Sequence, residues 1–252
     1  MPHSPHPHYD AILCDIDGCL SPEQPGAMNL PALARVADWN RRARETGEVP
    51  ALTLCTGRPL PFAEAVARAV NAFDLPIVCE SGVWLLTMDP YTWSMDPRLT
   101  SEHLTMAREM QAWVERTFEG VFFEAGKSAA ITVFHRDGPE HLREHVRPKI
   151  DEEIARRAWP LHTAMTWTCV NIEPEFISKA SGIDRLIERT AVESERLVGI
   201  GDTMSDVPIR ERVAFFACPA NADERLKELA DYVSDKEEAE GVLDILDRLE
   251  KR

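Results

Sequence analysis

The chain has 252 residues, 44% of them apolar, with 28 Lys and Arg against 43 Asp and Glu, a formal net charge of −15. That length buries the core of one large domain or two small ones, and the acidic balance argues against a nucleic-acid partner, which is held by clustered Lys and Arg. No stretch approaches the roughly 20 apolar residues of a membrane span and the start carries no apolar signal core, so a cytoplasmic protein with no membrane partner is expected.

His3, His6 and His8 alternate with Pro2, Pro5 and Pro7, which predicts a frayed tail. The apolar run Ala11-Ile12-Leu13-Cys14 then leads into Asp15-Ile16-Asp17-Gly18. Successive strand residues point to opposite faces, so two acids one residue apart share a site only if the strand has ended and the backbone curls at Gly18. A helix over Leu30 to Thr46, closed by Gly47, follows. The strand Ala51 to Cys55 runs into Thr56-Gly57-Arg58-Pro59, Pro61 to Phe73 predicts a second helix, and the strand Pro76 to Cys79 ends in Glu80-Ser81-Gly82.

From about Trp84 the pattern becomes alternating and aromatic-rich: Tyr91 to Met95, Val121 to Ala125, Ala129 to His135 and Leu161 to Ile172, with helices predicted at Ser101 to Phe118 and Pro139 to Ala158. Alternation suits an antiparallel sheet with one wet face. Regular α/β signals resume with a helix over Ala180 to Ala191, strands at Leu197 to Ile200 and Val213 to Ala217, a helix at Ala222 to Ala230, a strand at Tyr232 to Ser234 and a closing helix from Glu237. The predicted fold class is therefore α/β, a Rossmann-like parallel sheet with helices on both faces, made of residues 1–83 and 175–252, interrupted by a smaller α+β insert at 84–174. The six cysteines show no CxxC spacing and are expected to be reduced core thiols.

The strand Leu197 to Ile200 also ends in acids, Asp202 and Asp206. Open parallel sheets bind ligands beyond the carboxyl ends of their strands, where Asp15, Asp17, Thr56, Asp202 and Asp206 all fall. Acids converging to about 4 Å repel by on the order of 4 kcal/mol at an effective dielectric near 20. A hard divalent cation with oxygen ligands offsets this, Mg²⁺ by default. Lys179, at the start of the returning helix, would add a cation. Acids, a hydroxyl, a lysine and a metal form a phosphate-handling set, since phosphoryl transfer is mainly positioning and charge neutralisation, and an aspartate is a reasonable nucleophile.

These residues resemble the haloacid-dehalogenase-like phosphohydrolases. Asp15-Ile16-Asp17-Gly18-Cys19-Leu20 looks like the family's first motif, Thr56-Gly57-Arg58-Pro59 its second, Lys179 its third, and Gly201-Asp202 through Asp206 its fourth. The insert between the second and third is similar to the large C2-type cap of the Cof-type branch, which includes sugar-phosphate and phosphoglycolate phosphatases. Cys19 stands where Thr or Val is usual, and Thr203 and Ser205 where Gly and Asn are common. The resemblance implies that Asp15 attacks phosphorus to give an aspartyl-phosphate and that Asp17 serves as general acid and base. It further implies that Thr56, Gly57 and Lys179 hold the phosphoryl group, and that Mg²⁺ is ligated by Asp15, the Asp17 carbonyl, Asp202 and Asp206. The insert would close over the site and choose the substrate.

Several roles stay open at this level. Thr56 could merely cap the helix after Pro59. Arg58 reaches substrate or pairs with an acid, and Glu80 and Ser81 border the same edge with structural roles equally open. Lys127, His135 and Asn171 of the insert face the cleft or are ordinary surface and sheet residues. The expected activity is Mg²⁺-dependent hydrolysis of a small phosphorylated metabolite by a monomer or homodimer. A phosphomutase of the same kind and a receiver-like phospho-acceptor module are the alternatives.

Overall fold

The computed structural model describes residues 9–251, so the His/Pro tail lies outside the described residues. Four-residue strands β1 (Ala11–Cys14), β2 (Ala51–Leu54), β10 (Leu197–Ile200) and β11 (Phe215–Cys218), with the short β12 (Tyr232–Val233), form a parallel sheet in the order β12-β11-β10-β1-β2. Period-two alternation divides the core. Ile12, Cys14, Leu52 and Leu54 pack on one face against helices α1 (Leu30–Thr46), α2 (Leu60–Ala69) and α9 (Glu238–Glu250). Ala11, Leu13, Leu197 and Phe216 pack on the other against α6 (Lys179–Thr190), α7 (Val207–Arg210) and α8 (Glu224–Lys227). α1 starts as its sequence predicts, with the Asn29 side chain accepting from Ala32 N, and stops at Gly47, whose φ of +66° suits glycine.

β3 (Ile77–Cys79) touches the end of β2 through a Cys55–Val78 bridge and pairs antiparallel with β4 (Trp84–Met88), which pairs with β5 (Tyr91–Met95). The change of pattern at Trp84 had put β4 and β5 in the insert, but their hydrogen bonds lead back to β3. We propose that the insert proper runs from α3 (Ser101–Thr117) to the end of β9 (Val170–Pro174). Its sheet has the order β6-β7-β9-β8, with β6 (Val121–Phe123), β7 (Ile131–His135) and β8 (Leu161–Met165). Ile131, Val133, Val170 and Ile172 pack against Met110 and Val114 of α3 and Ile150 and Ile154 of α5 (Arg147–Arg157). Thr132, Asn171, Glu173 and His162 therefore share the opposite, polar face.

Three elements differ from expectation. Leu161 to Ile172 is a hairpin of two strands joined through Thr166, which accepts from the Thr168 and Cys169 amides. The helix from Pro139 is α4 (Pro139–His141), then a π turn at Leu142–Val146, then α5. Pro148 has no amide to offer the Glu144 carbonyl, so the turn widens and Arg147 N bonds Leu142 O. The helix expected at Ala222 to Ala230 is only the four residues of α8. All six cysteines are free and buried, and among the described residues no helix is long and apolar enough to cross a membrane.

Candidate active site

Parallel register brings the acids together. Cys14 is level with both Ile200 and Leu54, so the residues just past β1, β10 and β2 leave the sheet at one edge. Asp15, Thr56, Asp202 and Asp206 are all buried there. Gly18 (φ +68°) lies so close to Asp202 that a Cβ would sit 1.8 Å from Asp202 Oδ2. Only glycine supplies both this conformation and this approach.

Lys179, buried at the first position of α6, donates to Asp15 Oδ2 at 2.8 Å and Asp206 Oδ1 at 2.6 Å. Asp206 Oδ2 accepts from the amides of Asp202 (3.0 Å) and Thr203 (3.1 Å). Both Asp206 oxygens are thus engaged, which fits a residue holding the Asp202 loop and Lys179 more than a direct metal ligand. Thr56 Oγ1 accepts from Arg58 N at 3.1 Å, the local bond that starts the approach to α2. Ser81 Oγ is 3.6 Å from where a Cβ on Gly57 would lie.

Burial pushes the Asp15 carboxyl up to about 7 against the pull of Lys179. It pushes Asp202 up to about 9, with Asp206 and Asp15 adding to the rise. Burial works against the Lys179 ammonium, but Asp15 and Asp206 outweigh it and hold its pKa well above the ordinary lysine value. Ionised together, the three acids would carry more negative charge than one lysine balances, which is why burial holds protons on Asp15 and Asp202 in the absence of a further cation. Oxygens of Asp15, Asp202 and Asp206 lie within 4.8 Å of one another, and Asp202 Oδ1 is buried with no hydrogen-bond partner. A set of hard oxygen donors with one orphaned carboxylate oxygen fits Mg²⁺.

Asp17 is held differently. Arg58 grips it in a bidentate pair, Nε to Oδ2 and Nη2 to Oδ1, both 2.7 Å, and reaches Glu124 of the insert with Nη1 at 2.7 Å. Lys127 Nζ donates to Gly57 O at 2.5 Å and is 3.4 Å from Glu124. Both Arg58 and Lys127 thus lie where core and insert meet. Glu80 stands beside them with its carboxylate fully used: Oε1 accepts from the amides of Ser128, Ala129 and Ala130, and Oε2 from Ser128 Oγ. Asn171, on the polar face, accepts from Thr132 Oγ1. His135 does not join them. It lies on the helix-facing side of β7, bonded to Glu119 O and stacked on His141 at 4.1 Å.

Sequence reasoning passed over three acids. Glu23, in the loop after Gly18, is pushed up to about 7 by burial and then by Asp17, so it faces the same cleft. Glu124 follows β6 on its polar side. Glu173, at the end of β9, is buried and leaves Oε1 without a partner. Only the alternation of β6 and β9 points toward the last two; nothing local marks Glu23.

An acidic parallel-sheet edge with a buried lysine, beside an inserted α+β unit, is an arrangement suited to binding a phosphoryl group. The comparisons agree. A family profile described as haloacid dehalogenase-like hydrolase matches residues 125–246. A phosphoglycolate phosphatase of Methanosarcina acetivorans is 26% identical over 96% of this chain and 97% of its own. One of Methanothermobacter thermautotrophicus is 29% identical over 94% and 97%. Among solved structures, a Thermoplasma acidophilum protein superposes with a TM-score of 0.76 over 97% of this chain and all of its own at 18% identity. The sucrose-phosphatase of Synechocystis, solved with sucrose and phosphate, gives 0.68 over 96% and 98% at 15%. The profile and the full-length relatives together support a haloacid dehalogenase-like phosphatase.

Proposed function

We propose that the protein is a Mg²⁺-dependent phosphatase of small phosphorylated metabolites, phosphoglycolate or a sugar phosphate, working through an aspartyl-phosphate on Asp15. The observation that carries this reading is the buried Lys179–Asp15 contact of 2.8 Å beside the orphaned carboxylate oxygen of Asp202. Asp15, Asp202 and the Asp17 carbonyl would hold Mg²⁺, with Asp206 supporting the set from behind. When bound, the metal supplies charge neutralisation and fixes the phosphoryl group.

Lys179 and Thr56, with the Gly57 backbone, would orient the phosphoryl oxygens. An Asp15 carboxylate oxygen forms a bond to phosphorus as the bond to the leaving oxygen breaks. That oxygen keeps the electron pair and takes a proton from Asp17. Asp17 then accepts a proton from a water that attacks phosphorus, freeing phosphate and restoring the Asp15 carboxylate. For these transfers Asp17 must exchange one of its guanidinium contacts for the leaving oxygen. Glu80 we assign to positioning, since its oxygens carry the cap loop, and the cap of residues 101–174 would screen the site from bulk water.

The test is phosphate release from phosphoglycolate and a panel of sugar phosphates, with Mg²⁺ or with chelator. Release should require Mg²⁺ and vanish in Asp15→Asn while the thermal unfolding of that variant stays cooperative. Turnover by Asp15→Asn at the wild-type rate would refute the mechanism.

A further inference from the structure

We propose that Arg58 and Lys127 form a seat for a carboxyl group of the substrate, occupied in the free enzyme by the cap's own Glu124. The reading rests on the phosphatase function proposed above and narrows its substrate to phosphorylated 2-hydroxy acids.

Glu124 is bracketed by two cations from different parts of the chain. Its Oε1 meets Arg58 Nη1 at 2.7 Å and its Oε2 lies 3.4 Å from Lys127 Nζ. The three side chains are mostly shielded, with 12% of Glu124, 5% of Lys127 and 30% of Arg58 exposed. The opposite edge of the same guanidinium grips Asp17, the proton donor to the leaving oxygen. One planar group thus relates the proton donor to a second carboxylate in a fixed geometry. A substrate whose carboxyl group sits on the carbon bonded to the leaving oxygen matches that geometry: its carboxylate takes the place of Glu124 while its leaving oxygen turns to Asp17. A sugar hydroxyl is neutral and does not displace an ion-paired carboxylate on equal terms.

Charge requires an exchange and not an addition. Asp17, Glu23, Glu124 and Glu173 face this region against Arg58 and Lys127. A substrate carboxylate entering beside a retained Glu124 would meet like charge, whereas one replacing it leaves the balance unchanged. The seat is rigid on the cap side. Lys127 is tied to Gly57 O, and the residues after it are fixed by Glu80 through the amides of Ser128, Ala129 and Ala130.

The experiment compares KM for 2-phosphoglycolate, glucose 6-phosphate and p-nitrophenyl phosphate in the Mg²⁺-loaded full-length protein, Glu124→Gln and Lys127→Met. Losing one charge-assisted contact, Lys127→Met should raise KM for phosphoglycolate about tenfold or more relative to p-nitrophenyl phosphate. Glu124→Gln, nearly isosteric, should lower that ratio by removing the competing carboxylate. Equal changes for all three substrates would make the contact a closing latch and overturn the seat. Binding of 2-phosphoglycolate and glucose 6-phosphate to Asp15→Asn, measured by calorimetry, separates the two readings. Discrimination that persists there without turnover in the wild type refutes only the phosphatase reading. Equal affinity for both ligands refutes the seat.

Discussion

Replacing Glu80 isolates how the cap loop is held over the site. Glu80, Ser81 and Gly82 follow β3 with φ values of 50°, 55° and 103°, a run of left-handed backbone that persists only where the surroundings over-determine it. The Glu80 carboxylate supplies much of that determination, accepting three amides at 2.7, 2.8 and 2.9 Å and the Ser128 hydroxyl at 2.7 Å. Glu80→Ala leaves three amides without their acceptor. At roughly 1.5 kcal/mol each, the low end for bonds to a charged group, the loss is about 4–5 kcal/mol. For a chain of this size about 2–4 °C is lost per kcal/mol, so Tm should fall by about 8–20 °C. Glu80→Gln keeps an oxygen for the amides and surrenders only the charge, about 1–2 kcal/mol by the same reasoning. Both variants retain a Cβ at positive φ, so backbone strain cancels between them. Scanning calorimetry of the three proteins, with KM measured alongside, reads both consequences, since the loop carries Lys127. A Tm for Glu80→Ala within 2 °C of wild type would refute the accounting.

Gly18→Ala would drive a Cβ into the Asp202 carboxylate; a displacement of that kind costs about a hundredfold in kcat/KM, and the Mg²⁺ concentration for half-maximal rate should rise with it. Unchanged Mg²⁺ dependence would count against Asp202 as a ligand. Asp206→Asn removes the charge that Lys179 meets at 2.6 Å and sets an amide donor against donors. Breaking a buried pair in this way costs about 3–5 kcal/mol, visible as a lower Tm even in chelator. The metal-free protein should also lose stability as pH rises. Asp15, Glu23 and Asp202 have folded pKa values raised to about 7, 7 and 9. The native state keeps protons that the unfolded chain has released, so the stabilisation is complete below pH 4 and is lost as pH climbs through 7 to 9. Tm in chelator should be higher at pH 5 than at pH 8, with Mg²⁺ narrowing the gap; a flat profile in chelator would contradict the burial of these acids.

The acidic sheet edge was legible because its geometry is local. A strand that ends in Asp15-Ile16-Asp17-Gly18 declares its site within a few residues, and parallel register brings Asp202 and Thr56 to the same level without further information. The same locality explains Pro148, whose missing amide was visible in the sequence although the π turn it produces was not anticipated. What escaped was whatever depends on two distant segments meeting. Asp206 reads as another metal acid until Lys179 and two backbone amides occupy its oxygens. Glu80 reads as a cleft residue until the cap loop closes on it. His135 and Asn171 are equal candidates by composition, and only the face of the sheet separates them.

Arg58 and Glu124 lie 66 positions apart, and neither residue's neighbours carry a trace of the other. A catalytic core has to present one arrangement of charges to one phosphoryl group, so strand ends and turns can encode it in short motifs. A cap has to fit the remainder of a particular substrate, which any pair of loops can do. Its code is therefore spread through tertiary contacts such as Arg58–Glu124–Lys127, which come into view only when the two units are seen together.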